Sequence, residues 1–196
     1  MRIVARLIGM MLILLLSVSC SIQDEVVIDR EEARLAFELL NDIRLHAPLY
    51  REDLSLPRNL AIKKTELTWN PILAKVAETK AADMARRNYF GHTDPGGYGM
   101  NYYINKAGYS LNPSWLRKKN ENHFESIMAD AEDGEDAIYA LIIDKGVPSF
   151  GHRNHLLGIG NWNASLTDIG IGFARRDSGS TYTTYISVVI AKHGGE

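Results

Sequence analysis

LTWNPILAKVAETKAADMARRNYFGH, residues 67–92, decides how the rest of the chain can be arranged. Asn70 is a natural N-cap, and Pro71 fits the first helical position, where its missing N–H costs nothing. Leu73, Val76, Ala77, Lys80, Ala81 and Met84 then recur at helical spacing. Arg86 and Arg87 complement the negative end of the helix dipole, and Gly91 lies beyond it. Ala74, Ala77, Ala81 and Ala85 are small, so a second layer can approach this helix closely. Strand patterns follow downstream. LTDIGIGFARR (166–176) and TYTTYISVVIAKH (181–193) read as strands joined by a turn through Asp177, Ser178 and Gly179. NENHFESIMA (120–129) alternates well enough for a further strand, with Glu121, His123 and Glu125 on one face.

Three more helices are expected. Residues 30–46 carry Ala33, Phe37, Leu40 and Ile43 at helical spacing, with Glu31 and Glu32 in the first turn and Pro48 as the stop. Residues 98–107 form a short helix ended by Gly108, and residues 135–144 a helix with Ala137, Ile138, Leu141 and Ile142 inward. Residues 48–64 read as an irregular loop, and HTDPGGYG (92–99) as a turn-rich one. Helices first and a hairpin at the end imply an α+β domain whose helices cover an antiparallel sheet.

A chain of 196 residues suits one domain with a sizeable core, and 45% hydrophobic against 23% charged residues is the balance of a globular protein. The formal charge of −2 gives no sign of a nucleic-acid partner. The N-terminus stands apart. Arg2 and Arg6 precede an apolar run from Leu7 to Leu16, then small residues and Cys20. This is the pattern of a secretory signal, too short to span a bilayer comfortably. Cys20, the single cysteine, stands where a bacterial lipoprotein signal places the lipidated residue, although Leu16 is one position further back than usual. A plain cleaved signal with an incidental cysteine is the alternative. One cysteine cannot form an intrachain disulfide. The expected organisation is a signal over 1–19, an acidic tether over 20–30 and a domain over 31–193. Loss of Arg2 and Arg6 from 22 basic residues, against 24 acidic ones, leaves a mature charge of −4. An acidic tether does not bind anionic lipid, so the lipid on Cys20 would alone hold the membrane. Ser21 lacks the Asp-type inner-membrane retention signal, which points to the outer membrane or cell surface.

Four positions combine polar chemistry with a turn or an element end: His92, Glu125, Asp144 and His152. Two histidines and two carboxylates can hold a divalent metal, usually zinc, or can form a network in which carboxylates orient imidazoles. No HExxH is present, and a single cysteine excludes a cysteine zinc cluster. PSFGHRNHLLG (148–158) adds Arg153, read as a tie between loops, and His155, for which packing and function are equally open.

Taken in order, LLNDIR (39–44), residues 67–97, ESIMA (125–129), LIIDKGVPSFGHRNHLL (141–157), DIGIGFA (168–174) and TYISVVIA (184–191) resemble successive segments of one family. It is the superfamily of cysteine-rich secretory proteins, antigen 5 and pathogenesis-related 1 (CAP), in its bacterial SCP-like extracellular branch. The resemblance implies a three-layer α-β-α sandwich with a central antiparallel sheet and a polar cleft. It places His92, Glu125, Asp144 and His152 in that cleft, with His92 and His152 as the histidines that could hold Zn2+ or another divalent metal. Ser126 replaces the usual Asn after the acidic strand residue, and Asp144 stands where many members have Glu. Three functions follow as expectations: a module binding a small apolar or protein ligand, a metal-dependent hydrolase using the same cleft, and a structural domain braced by the tetrad. Binding leads, because no strained-elbow serine and no cysteine beyond Cys20 offers a nucleophile.

Overall fold

The computed structural model describes residues 25–194. The signal segment, Cys20 and the first part of the expected tether lie outside the described residues. Within them the order is β1 (Val27–Ile28), α1 (Arg30–Tyr50), β2 (Thr68–Trp69), α2 (Pro71–Arg87), α3 (Met100–Lys106), a 3-10 turn (Pro113–Leu116), β3 (Glu125–Ala129), α4 (Gly134–Ile143), α5 (Gly151–Leu156), α6 (Gly160–Ala164), β4 (Asp168–Arg175) and β5 (Thr184–Ala191).

The sheet runs β1-β4-β5-β3, antiparallel throughout. The short β2 joins the N-terminal end of β4 in parallel, so β1 and β2 share one edge of that strand. The small residues of α2 meet their counterpart in β4. A Cβ added at Gly170 would fall 2.0 Å from the Ala74 nitrogen, and one at Gly172 2.2 Å from the Ala77 carbonyl carbon. Helix and strand backbones therefore touch, which two glycines opposite two alanines permit and larger pairs do not. On the other face Ile169, Ile171 and Phe173 of β4, with Ile186, Val188 and Ile190 of β5, pack in the core that also takes Ala33, Ala36, Leu40 and Ile43 of α1 and Ala137, Ile138, Leu141 and Ile142 of α4. Each fully buried Ile, Leu or Phe there contributes about 1.5–3 kcal/mol. The result is the expected three-layer α-β-α sandwich.

Several boundaries differ from the sequence reading. The chain joins the sheet at Val27, and Asp29 caps α1 by accepting from the Glu32 N–H, so the fold begins inside the stretch read as tether. Pro48 does not stop α1. The helix breaks at His46 (φ −117°, ψ 30°), two residues earlier, and resumes to Tyr50. A proline disturbs the turn before it, so the break falls upstream of the ring. The strand over 120–129 shrinks to Glu125–Ala129, because Asn122 Oδ1 accepts from the Phe124 and Glu125 N–H groups and holds a turn there. His123 is therefore exposed and lies beside Phe124 and Trp162, not on the Glu125 face.

Candidate functional site

β3 is the edge strand of the sheet, and its first two residues point to opposite faces. Glu125 faces α2. Its side chain has no solvent exposure; Oε2 lies 3.0 Å from His92 Nδ1, and Oε1 accepts from Ser187 Oγ at 2.7 Å. His92 reaches it because the loop after α2 is pinned from within. Lys80 Nζ donates to the carbonyls of Gly91 (2.6 Å) and His92 (3.3 Å) and to Tyr89 Oη (3.2 Å). Burial lowers the Lys80 pKa, while Glu125, Asp83 and Asp94 oppose that shift.

Ser126 faces the α1/α4 side, where its hydroxyl lies 2.8 Å from His155 Nδ1. His155 is buried, and burial is the main cause that pushes its pKa down to about 4; a weak contact from Nε2 to the Ile190 carbonyl (3.5 Å) works the other way. The ring is neutral at neutral pH. With Nε2–H directed at that carbonyl, Nδ1 is the acceptor and Ser126 the donor.

The second histidine–acid pair is built from α4 and α5. Asp144 ends α4 in the left-handed conformation (φ 54°, ψ 42°), which Asp tolerates better than most residues. Its carboxylate lies 2.8 Å from His152 Nδ1 and accepts the backbone N–H groups of His152 (3.0 Å) and Arg153 (3.3 Å). It thus caps α5 from outside, at the end where the dipole favours a negative charge. Arg153 returns the favour, donating from Nε to the Ile142 carbonyl (2.6 Å) and from Nη2 to the Ile143 carbonyl (2.7 Å), at the end of α4. The two helix ends are clasped reciprocally. Phe150, also left-handed (φ 49°), lays its ring 4.2 Å from the Arg153 guanidinium.

The two pairs share one design. Each carboxylate is buried, at 0% and 1% side-chain exposure, while His92 and His152 are 40% and 27% exposed. Each acid holds Nδ1 of a ring that stays partly exposed. His155 pairs with Ser126 on the opposite face of β3 from Glu125.

A family model, that of the cysteine-rich secretory protein (CAP) family, matches residues 37–190. The chain belongs to the CAP family. The 1.5 Å crystal structure of an extracellular protein containing an SCP domain, from Bacillus anthracis str. Ames, is similar in fold, with a TM-score of 0.51 and 23% identity. The match covers 84% of this chain and 41% of that one, so this chain spans less than half the length of its structural neighbour. Comparison with curated proteins finds no match.

Within the CAP domain, the donor chemistry can be tested against a divalent ion. His92 Nε2 and His152 Nε2 are suitable ligands, with Glu125 and Asp144 fixing ring orientation and tautomer from behind. Among the described residues no group of three or more His, Cys, Asp or Glu side chains is placed to hold a metal. His92 and His152 offer two imidazole donors, short of the three protein ligands usual for catalytic zinc.

Three supporting residues escaped the sequence reading. Lys80 was visible as a lysine at an inward position of an apolar helix face, and Ser187 as a hydroxyl inside an apolar strand. Asn122, whose Nδ2 donates to the Glu125 carbonyl at 3.3 Å, holds the start of β3 from the turn before it.

Proposed function

We propose that this CAP domain is an extracytoplasmic binding module, tethered by lipid at Cys20, whose cleft presents the Nε2 atoms of His92 and His152 to a divalent ion or to the acidic or polar group of a ligand. The observation that carries this is the orientation of both imidazoles by buried carboxylates through Nδ1. Such an arrangement spends folding energy on aiming two nitrogens outward. The Ser126–His155 pair does not supply a nucleophile. Both side chains are buried, and an imidazole pushed down to about 4 is a poor base at neutral pH. A metal, when bound, would supply Lewis acidity at the cleft; the residues themselves bind and orient.

Zinc titrated calorimetrically into wild type, His92→Ala and His152→Ala tests this. Stoichiometric binding lost in both variants is the expected result. Binding absent, or unchanged in both, refutes the metal form and leaves the search to organic ligands. A bracing role is the second reading, favoured by the three bonds that Asp144 makes to α5. It predicts that His152→Ala lowers the melting temperature by as much as Asp144→Ala does, whereas the binding reading predicts a clearly smaller loss for the histidine.

A further inference from the structure

Away from the cleft, α2 and α3 enclose a pocket of about 430 Å3, within the size range of small-molecule sites. Val76, Ala107, Tyr89 and Tyr103 give it an apolar and aromatic lining, and Lys75 and Lys106 stand exposed on it from the two helices. The hydroxyls and the acid of this lining are already engaged. Tyr89 Oη donates to Asp83 at 2.7 Å, Tyr103 Oη to Asp94 at 2.6 Å and Thr79 Oγ1 to the Lys75 carbonyl at 2.8 Å. Arg87 Nη1 also donates to Asp83, at 3.2 Å. Lys80 forms a further wall with its stem while its ammonium is tied to the loop behind. These bonds fix the walls before any ligand arrives, which lowers the ordering cost of binding.

The charges that remain available are positive. Lys75 sits 3.5 Å from Glu78, a carboxylate already held by Arg30 at 2.6 and 3.1 Å, and Lys106 lies 5.5 Å from the Tyr102 ring. With Asp83 held by Tyr89 and Arg87, the lysines leave the pocket an excess of positive charge, which favours an anion over a cation. Two phenol rings in the walls favour a flat aromatic body, since ring pairs contribute about 0.5–1.5 kcal/mol beyond burial. We propose that this pocket between α2 and α3 binds a small aromatic carboxylate, its ring against Val76, Tyr89 and Tyr103 and its charge between Lys75 and Lys106.

The test is calorimetric titration of naphthoate into the full-length protein, beside its uncharged counterpart naphthylmethanol. One saturable site is expected for naphthoate. Replacing both lysines, Lys75→Gln with Lys106→Gln, should weaken it about tenfold or more, as should removal of the ligand's charge. Ala107→Trp, at an exposed position on the wall, should fill the pocket and abolish binding. The proposal is overturned by any of three results: no saturable binding at millimolar naphthoate, equal affinity for the alcohol, or affinity unchanged by Ala107→Trp. None of these depends on His92 or His152, so the cleft and the pocket are tested separately.

Discussion

His155 shows how far one buried side chain can set the behaviour of the molecule. Its pKa stands at 6.5 without the fold and is pushed down to about 4 within it, chiefly by burial. Between those values the unfolded chain binds a proton that the folded chain refuses, so acid draws the equilibrium toward unfolding. The contribution is complete above about pH 6.5 and is lost progressively as pH falls toward 4, for a total of roughly 3 kcal/mol. His155→Gln keeps a partner for Ser126 without a titrating ring. The difference in unfolding free energy between wild type and this variant, measured from pH 7 to 4, should fall in that window; a flat difference would mean that burial of the ring is not what wild type is resisting. Arg44 is the opposite case. It is 1% exposed, its Nε donates to the Lys63 carbonyl at 3.3 Å, and Nη1 and Nη2 have no hydrogen-bond partner among the described residues. Burial lowers its pKa to about 10. A buried charge without compensation costs more than it returns. Arg44→Met, similar in length and apolar, should leave stability unchanged or raise it by on the order of 1 kcal/mol. Denaturant midpoints decide this, and a loss above about 2 kcal/mol would show that the guanidinium is compensated after all.

At the scale of elements, the close approach of α2 to β4 is open to a decisive substitution. Gly172 has no unusual backbone requirement; what it supplies is the absence of a side chain where α2 crosses β4. A methyl group there would meet the Ala77 carbonyl carbon at 2.2 Å and its oxygen at 2.3 Å, both backbone atoms that no rotamer change can move. Relief requires the whole helix to lift from the sheet, which loosens Met84 and Ala85 over Tyr185 and Ala174 as well. Gly172→Ala should therefore cost at least about 3 kcal/mol, at the upper end for an overpacked core, or prevent folding. Thermal unfolding measures it, and a change under about 1 kcal/mol would show that α2 does not pack as closely as described. Half of this contact was legible in the sequence, in the small residues at 74, 77, 81 and 85; that the glycines of DIGIGFA meet them follows only from the packing of the layers. The ends of elements were less legible. The break at His46, the late start of β3 and the reciprocal clasp of Asp144 and Arg153 each depend on which distant group takes a hydrogen bond, and periodicity carries no record of that.

In the whole molecule the core lies apart from the two histidine–acid pairs. Strand and helix periodicity exposed the layers, and the order of family-like segments singled out His92, Glu125, Asp144 and His152. It could not show that the four fall into two histidine–acid pairs, because one pair depends on Glu125 facing α2 from the edge strand and the other on the end of α4 meeting the start of α5. The same geometry sets what a metal can do for the fold. Domains that depend on zinc lack a core and are unfolded without the ion. Here the core runs from Val26 to Ala191 through every layer, and the imidazoles of His92 and His152 lie outside it, 40% and 27% exposed. A bound ion can stabilise only by mass action, about 1.4 kcal/mol at tenfold excess over its dissociation constant. Excess chelator should therefore lower the melting temperature by no more than a few degrees and leave the circular dichroism of the folded state intact, while added zinc raises it in a concentration-dependent way that His92→Ala removes. Unfolding on chelation would mean that the two imidazoles close the fold rather than decorate it, and that the buried carboxylates behind them are a structural centre first and a binding site second.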